Sequence, residues 1–414
     1  MSLEFRIGDV FERLAEIPDG SIDMIVTSPP FLALRSYLPA GHPDKNKEIG
    51  SEATPAQFLD TMLALSSEWG RVLAPHGSLC VELGDTYAGS TASGGDHKPH
   101  GEPTKYQRGD LATASEHRRT GSGWPKAKSK AMIDTLYPAC LAYGRNLLSG
   151  TESPAGEWLI RNLICWARPN PPVGALGDKF RPATSYITVA CRGKRWFDLD
   201  AVRGEPSPNT HARTAADVVS KPTTTKTSPD GNNHTLDTLH STAGAPPLDW
   251  HADDHPEDGD WLWKLSTRGY KGSHYATFPL ELPKRLILAM CPPKVCTVCG
   301  VPSERITERT PEYASIRDSV GDFNQRDRDG SKGFSGNRNE QLGTITCAQN
   351  ITTGWTDCGH DSWRNGIVLD PFAGSGTTLE AAQIVGRDAI GIDLDSRNAD
   401  LARERCGMFL EVAS

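Results

Sequence analysis

The sequence predicts an α/β protein built on a doubly wound, mostly parallel sheet, and three observations carry that prediction. Short β-branched runs alternate with helical periodicities along the chain. One apolar run ends abruptly in Ser28-Pro29-Pro30. Another ends in a glycine turn, PFAGSGTT, which opens a helix and leads to a further strand closed by an acid.

Taken in order, residues 22–27 (IDMIVT) read as a buried strand stopped by the diproline. Residues 55–73 repeat apolar positions at three- and four-residue spacing, with Pro55 suited to a first helical turn. Residues 77–85 (GSLCVELGD) read as the next strand. Residues 158–172 (WLIRNLICWARPNPP) restore order after a polar stretch, and 183–193 (ATSYITVACRG) are strand-like. Residues 278–290 (FPLELPKRLILAM) enter an amphipathic helix. The chain then closes with strand 366–370, helix 379–386, strand 389–395 and a last helix from about Asn398.

Composition bounds the possibilities. The 414 residues give room for one large core or two to three smaller units. With 44 Lys+Arg against 52 Asp+Glu, the formal net charge is −8, so a uniformly basic coat is excluded and contact with nucleic acid needs a local patch. No run approaches the ~20 apolar residues needed to span a bilayer. The opening MSLEFRIGDVFERL carries acids where a signal peptide has its basic and apolar regions, so a cytoplasmic protein without membrane contact is expected. Cys80, Cys140, Cys165, Cys191, Cys291 and Cys406 sit singly and read as small buried hydrophobes, whereas Cys296, Cys299, Cys347 and Cys358 form a separate group.

The glycine turn has a physical reading. Gly374 and Gly376 let the backbone approach a ligand, and the following helix offers free N–H groups. Asp393 ends the next strand nineteen residues after Gly374, where an acid takes both ribose hydroxyls. No Lys follows Gly376, so a P-loop is excluded, and a full G-x-G-x-x-G is missing. A nucleoside without pyrophosphate fits better, with S-adenosylmethionine foremost.

Taken together, TSPPF (27–31) and LDPFAGSGTT (369–378) resemble the amino-group DNA methyltransferases, and the order of the two motifs is that of their β group. Gly8-Asp9, WARPNPP, KRWFDLDAVR and HYATFPLELP (274–283) are similar to further segments of that family in the expected order. The resemblance implies a Rossmann-like S-adenosylmethionine-dependent methyltransferase sheet acting on double-stranded DNA in a bacterium or phage, with any restriction endonuclease a separate chain. It implies a catalytic loop of Ser28, Pro29, Pro30 and Phe31. It also implies cofactor contacts from Asp370, Phe372, Gly374, Ser375, Gly376, Thr377 and Phe278 around the methionine end, Asp393 on the ribose and Asp9 near the adenine. The form S-P-P-F is commoner among cytosine-N4 enzymes than adenine-N6 enzymes, which more often carry D-P-P-Y. Cytosine N4 is therefore the expected target, with adenine N6 as the alternative.

The family frame divides the chain into a catalytic part (1–85), a basic insertion (86–130), a core segment (131–203), a polar insertion expected to read the target (204–273), a pre-cofactor segment (274–295), a zinc-ribbon-like insertion (296–362) and a cofactor part (363–414). Residues 97–130 hold eight Lys/Arg against three Asp/Glu, together with Tyr106 and Trp124, which fits either DNA contact or a solvated loop. In the cysteine insertion, Cys296, Cys299 and Cys358 are expected to ligate structural Zn2+, with His360 as fourth ligand and Cys347 as the alternative. Two other classes stand beside the enzyme: a catalytically silent zinc-ribbon DNA-binding protein, and a methyltransferase of RNA or protein on the same fold.

Overall fold

The computed structural model describes residues 1–34, 36–38, 41–89, 119–169, 171, 179–203, 226–227, 233–234, 263, 265–266, 278–309 and 350–413. Tyr106, Cys347, residues 274–277 and most of the expected insertions at 86–130 and 204–273 lie outside the described residues. The strands are β1 (Leu3–Ile7), β2 (Ile22–Thr27), β3 (Leu73–Leu83), β4 (Leu159–Ala167), β5 (Thr184–Cys191), β6 (Lys226–Thr227), β7 (Asn233–His234), β8 (Lys294–Cys296), β9 (Arg305–Arg309), β10 (Asn350–Trp355), β11 (Trp363–Asn365), β12 (Ile367–Asp370), β13 (Asp388–Asp393) and β14 (Leu410–Ala413). The helices are α1 (Val10–Ala15), α2 (Pro55–Val72), α3 (Ile133–Tyr143), α4 (Glu281–Met290), α5 (Thr377–Ile384) and α6 (Arg397–Cys406).

By contact density the chain forms two compact units, one of residues 1–197, 248–302 and 359–414, the other of 198–247 and 303–358. The first unit holds an eight-stranded sheet in the order β14-β1-β13-β12-β2-β3-β5-β4. Strands β14 through β3 run parallel, and β5 and β4 close the edge as an antiparallel hairpin. The chain winds outward from β12 towards β13 and from β2 towards β3. The strand order therefore reverses between β12 and β2, which is the switch point where open α/β sheets place ligands.

Local sequence explains the central elements. All six residues of β2 are buried, as expected of a strand with parallel neighbours on both sides and helices on its faces. In α2, Thr54 caps the first turn by accepting from the Gln57 N–H and Pro55 occupies the first helical position. Its Phe58, Leu59, Met62 and Trp69 pack into the main core with Leu79 and Val81 of β3. Truncating any of these to Ala would cost about 2–5 kcal/mol. Five of the six single cysteines are buried and Cys165 is partly so, as the hydrophobe reading requires.

β1, β14, α1 and α3 are among the elements that were not legible as such in the sequence. β1 and β14 are short and mixed in polarity, and they become strands by pairing in parallel with each other. α1 has only six residues. α3 carries Pro138 inside it, a residue that ordinarily argues against a helix. In the second unit β9 and β10 form an antiparallel ribbon, bulged between Thr352 and Gly354. Its Arg305 grips Asp198 through both carboxylate oxygens and lies 4.8 Å over the Trp355 ring.

Candidate active site at the sheet switch point

At the carboxyl ends of β12, β13 and β2 lies a half-open cleft. Gly374, Ser375, Thr377 and Phe372 of the glycine turn form one wall, and Asp9, Asp393 and Phe278 contribute to the others. Gly376 sits beneath the turn: its φ of +79° is left-handed, and an added Cβ would lie 3.0 Å from the Ala402 Cβ. The turn thus needs glycine here for both backbone and packing reasons.

The acids of the cleft are held, not free. Asp393 accepts the Gly374 N–H at 2.8 Å and the Asp395 N–H at 2.8 Å, which locks the turn to the end of β13. Asp9 caps α1 by accepting from the Phe11 and Glu12 N–H groups, and the Gly8 N–H donates to the Asp393 carbonyl. Asp370 is buried and accepts from the Thr27 hydroxyl at 2.7 Å, the Thr378 hydroxyl at 2.6 Å and the Phe372 N–H. Burial pushes its carboxyl up to about 6, because desolvation outweighs the three donors. Its oxygens are committed to the protein, where they tie the glycine turn to the end of β2.

The loop after β2 covers the same cleft. Tyr37, Leu38 and Ile49 supply apolar surface, and Glu48 accepts the Tyr37 and Leu38 N–H groups. Arg397 clamps Asp395 at 2.7 Å and donates to the Tyr37 carbonyl, linking this loop to the start of α6. None of Tyr37, Leu38, Glu48, Ile49 or Asp395 stood out in the sequence. Only Asp395 had a signal, as the second acid of GIDLD. Apolar walls, paired acids and a close-approach turn fit a nucleoside with an aliphatic sulfonium tail.

Ser28 and Pro30 line the cleft too, at the end of β2, while Pro29 is buried. The Ser28 hydroxyl donates to Glu82 of β3 at 2.6 Å. Glu82 is 4% exposed, and burial raises its carboxyl despite the hydrogen bond from Ser28, the neighbouring Ser185 hydroxyl and the nearby Arg168 charge. This buried acid is a functional candidate the sequence reading passed over; its signal was a lone charge inside the apolar run LCVEL. Phe31 does not line the cofactor cleft. Its ring rests on Gly84, where an added Cβ would come within 2.5 Å of Cε2.

The ligating atoms of Cys296, Cys299, Cys358 and His360 all lie within 4.8 Å of one another, while Cys347 lies outside the described residues. Cys296 Sγ and His360 Nδ1 are 3.6 Å apart, a separation suited to donors around one tetrahedral ion. Trp124 of the basic insertion packs against the core and donates its indole N–H to the Ala53 carbonyl, which favours a structural role for that side chain.

Comparison with known proteins agrees with this architecture. The family model described as a DNA methylase, covering N6 and N4 methyltransferases, matches residues 22–298 and 359–404. The Type II methyltransferase M.Cfr9I of Citrobacter freundii is 24% identical over 288 residues, 69% of this chain and 72% of the relative. M.SmaI of Serratia marcescens is 21% identical over 407 residues, covering 98% of this chain and 90% of the relative. Among solved structures, the PvuII DNA methyltransferase (cytosine-N4-specific) is 13% identical, with a TM-score of 0.47 over 98% of this chain and 86% of the other. The chain belongs to the N6/N4 DNA methyltransferase family, whose enzymes use S-adenosylmethionine. Among the described residues no helix is long and apolar enough to cross a membrane.

Proposed function

We propose that this enzyme methylates the exocyclic N4 of cytosine in double-stranded DNA, with the target base turned out of the helix. The observation that carries the reading is Ser28, presented at the switch point beside the cofactor cleft with its proton committed to Glu82. A serine that donates to a carboxylate keeps its oxygen lone pairs for an incoming N–H donor. An amino nitrogen on a base is a poor nucleophile because its lone pair is delocalised into the ring. Acceptors at Ser28 Oγ and the Pro29 carbonyl bind its N–H groups and localise that pair. When bound, S-adenosylmethionine supplies an electrophilic methyl group for direct displacement.

The nitrogen sheds a proton as it becomes methylated, and the Ser28 hydroxyl with Glu82 behind it would take that proton up. The raised Glu82 carboxyl suits that task. Phe31 offers a ring face to the extruded base. Of the residues lining the cleft, Asp393 would hold the ribose, Asp9 the adenine, and Phe278 and Phe372 the methionine end. Cys296, Cys299, Cys358 and His360 bind one structural Zn2+. The relatives' Type II designations support a restriction endonuclease encoded as a separate chain.

Nucleoside mass spectrometry of unmethylated DNA incubated with protein and S-adenosylmethionine tests the target. N4-methylcytosine is the expected product. N6-methyladenine would retain the mechanism but reassign the base, and neither product on DNA of mixed sequence would sink the DNA-enzyme reading.

A further inference from the structure

The connection between β4 and β5 leaves the sheet at the same end as Ser28. In the β3–β5 pairing Leu83 faces Tyr186 and Glu82 faces Ile187, so the start of β5 stands next to the acid that holds Ser28. Beyond it, the Arg168 N–H closes the hairpin on the Ala183 carbonyl at 2.7 Å. Three residues before Ala183 stands Phe180, which is 98% exposed; among the described residues the next most exposed ring, Tyr143, reaches 67%. Lys179 and Arg181 flank it, both exposed.

Scattered exposed hydrophobes are ordinary, but this one is set apart by its surroundings. The Lys179 ammonium lies 3.6 Å over the Tyr87 ring, three residues after the Gly84 on which Phe31 rests. Arg181 precedes Pro182, which restricts it to extended backbone. The phenyl ring therefore stands between two cations in sequence, just before β5, at the end of the sheet where Ser28 lies.

We propose that Phe180 is the wedge that enters the DNA stack where the target base has left it, with Lys179 and Arg181 against the flanking phosphates. This rests on the methyltransferase reading of the same site. Turning out a base leaves a gap whose unstacking costs a few kcal/mol. Apolar side chains inserted between base steps refill such gaps in other DNA-binding proteins. A fully exposed Phe between two cations has the chemistry for that place: the ring stacks, and the charges meet the backbone.

The test uses a duplex whose methylated position has been mapped, together with the same duplex carrying a mismatch opposite the target base. Phe180→Ala should lose about tenfold or more in kcat/KM on the matched duplex, since the extruded state loses its filler. On the mismatched duplex, where the target is already unpaired, most of that loss should disappear. Phe180→Leu, still an apolar wedge, should keep most of the matched-duplex activity, and S-adenosylmethionine affinity by calorimetry should stay unchanged in both variants. Wild-type rates for Phe180→Ala on the matched duplex, or an equal loss on both duplexes, would overturn the wedge alone. A wild-type protein that methylates neither duplex would overturn the methyltransferase reading beneath it.

Discussion

The Thr27 hydroxyl donates to Asp370 Oδ1 at 2.7 Å, joining residues 343 positions apart in the chain. Thr27 immediately precedes Ser28, and Asp370 immediately precedes the glycine turn. One hydrogen bond thus fixes the catalytic strand to the cofactor strand at the point where the sheet reverses. Thr27→Val keeps the volume and removes the donor from a buried carboxyl, at a cost of about 1.5–3 kcal/mol. Chemical denaturation should show that loss, and calorimetry should show weaker S-adenosylmethionine binding. An unchanged midpoint and unchanged affinity would mean that the bond does not couple the two motifs.

The pH dependence of the same carboxyl follows from its burial. Asp370 is raised from 3.8 to about 6, so the folded state binds its proton more tightly than the unfolded chain. Its contribution to stability is therefore fully present below about 4 and lost as pH rises to about 6, an upper bound of about 3 kcal/mol. Asp370→Asn has no proton to lose, so it should gain on the wild type as pH rises from 4 to 7. Denaturation curves at pH 4.5 and 7.5 measure that gain, and a constant difference between the two proteins would contradict it.

Glu82→Gln separates chemistry from binding. The amide keeps the shape, but it cannot take a proton and leaves the Ser28 hydroxyl without its ionised acceptor. A loss of general-base assistance predicts a fall in kcat of about 10²-fold or more. S-adenosylmethionine affinity should be unaffected, because Glu82 does not line the cofactor cleft. Activity of the wild type should rise with pH as Glu82 ionises, through a range above the ordinary carboxylate value. The variant should lose that acidic limb, and a retained limb would assign it to another group.

How far the sequence anticipates this molecule depends on how local each cause is. β2, α2 and β12 declare themselves because β-branched runs, helical spacing and the diproline or glycine stop act within a few residues. Both motif loops were readable for that reason, and so was the cysteine group. β1 and β14 were not, since their strand character comes from pairing partners hundreds of residues away. Glu82 escaped because in sequence it is only an acid in a strand. Its importance appears when β2 sets Ser28 beside it. Likewise, Tyr37 and Ile49 become cleft walls only once the loop after β2 folds over the glycine turn.

At the opposite end of β2 the fold relies on charge. Asp23 is fully buried and accepts from both Arg364 terminal nitrogens, from the Ile367 N–H at 2.7 Å and from His76 Nε2 at 2.9 Å. Burial raises its carboxyl, but the hydrogen bonds from His76, Arg364 and Ile367 and the Arg364 charge outweigh that and hold it below the ordinary 3.8. A depressed folded value contributes stability that is present above the unfolded value and lost as pH falls through the folded one. Arg364→Met would strand this carboxylate, at a cost of about 3–5 kcal/mol near neutral pH. The deficit should shrink towards pH 3, where the unpaired Asp23 protonates. Adding Asp23→Asn to Arg364→Met should restore part of the loss, because it removes the stranded charge. Denaturation of the two single variants and the double variant at pH 7 and pH 4 completes the cycle, and strictly additive effects would show that the pair acts as two independent side chains.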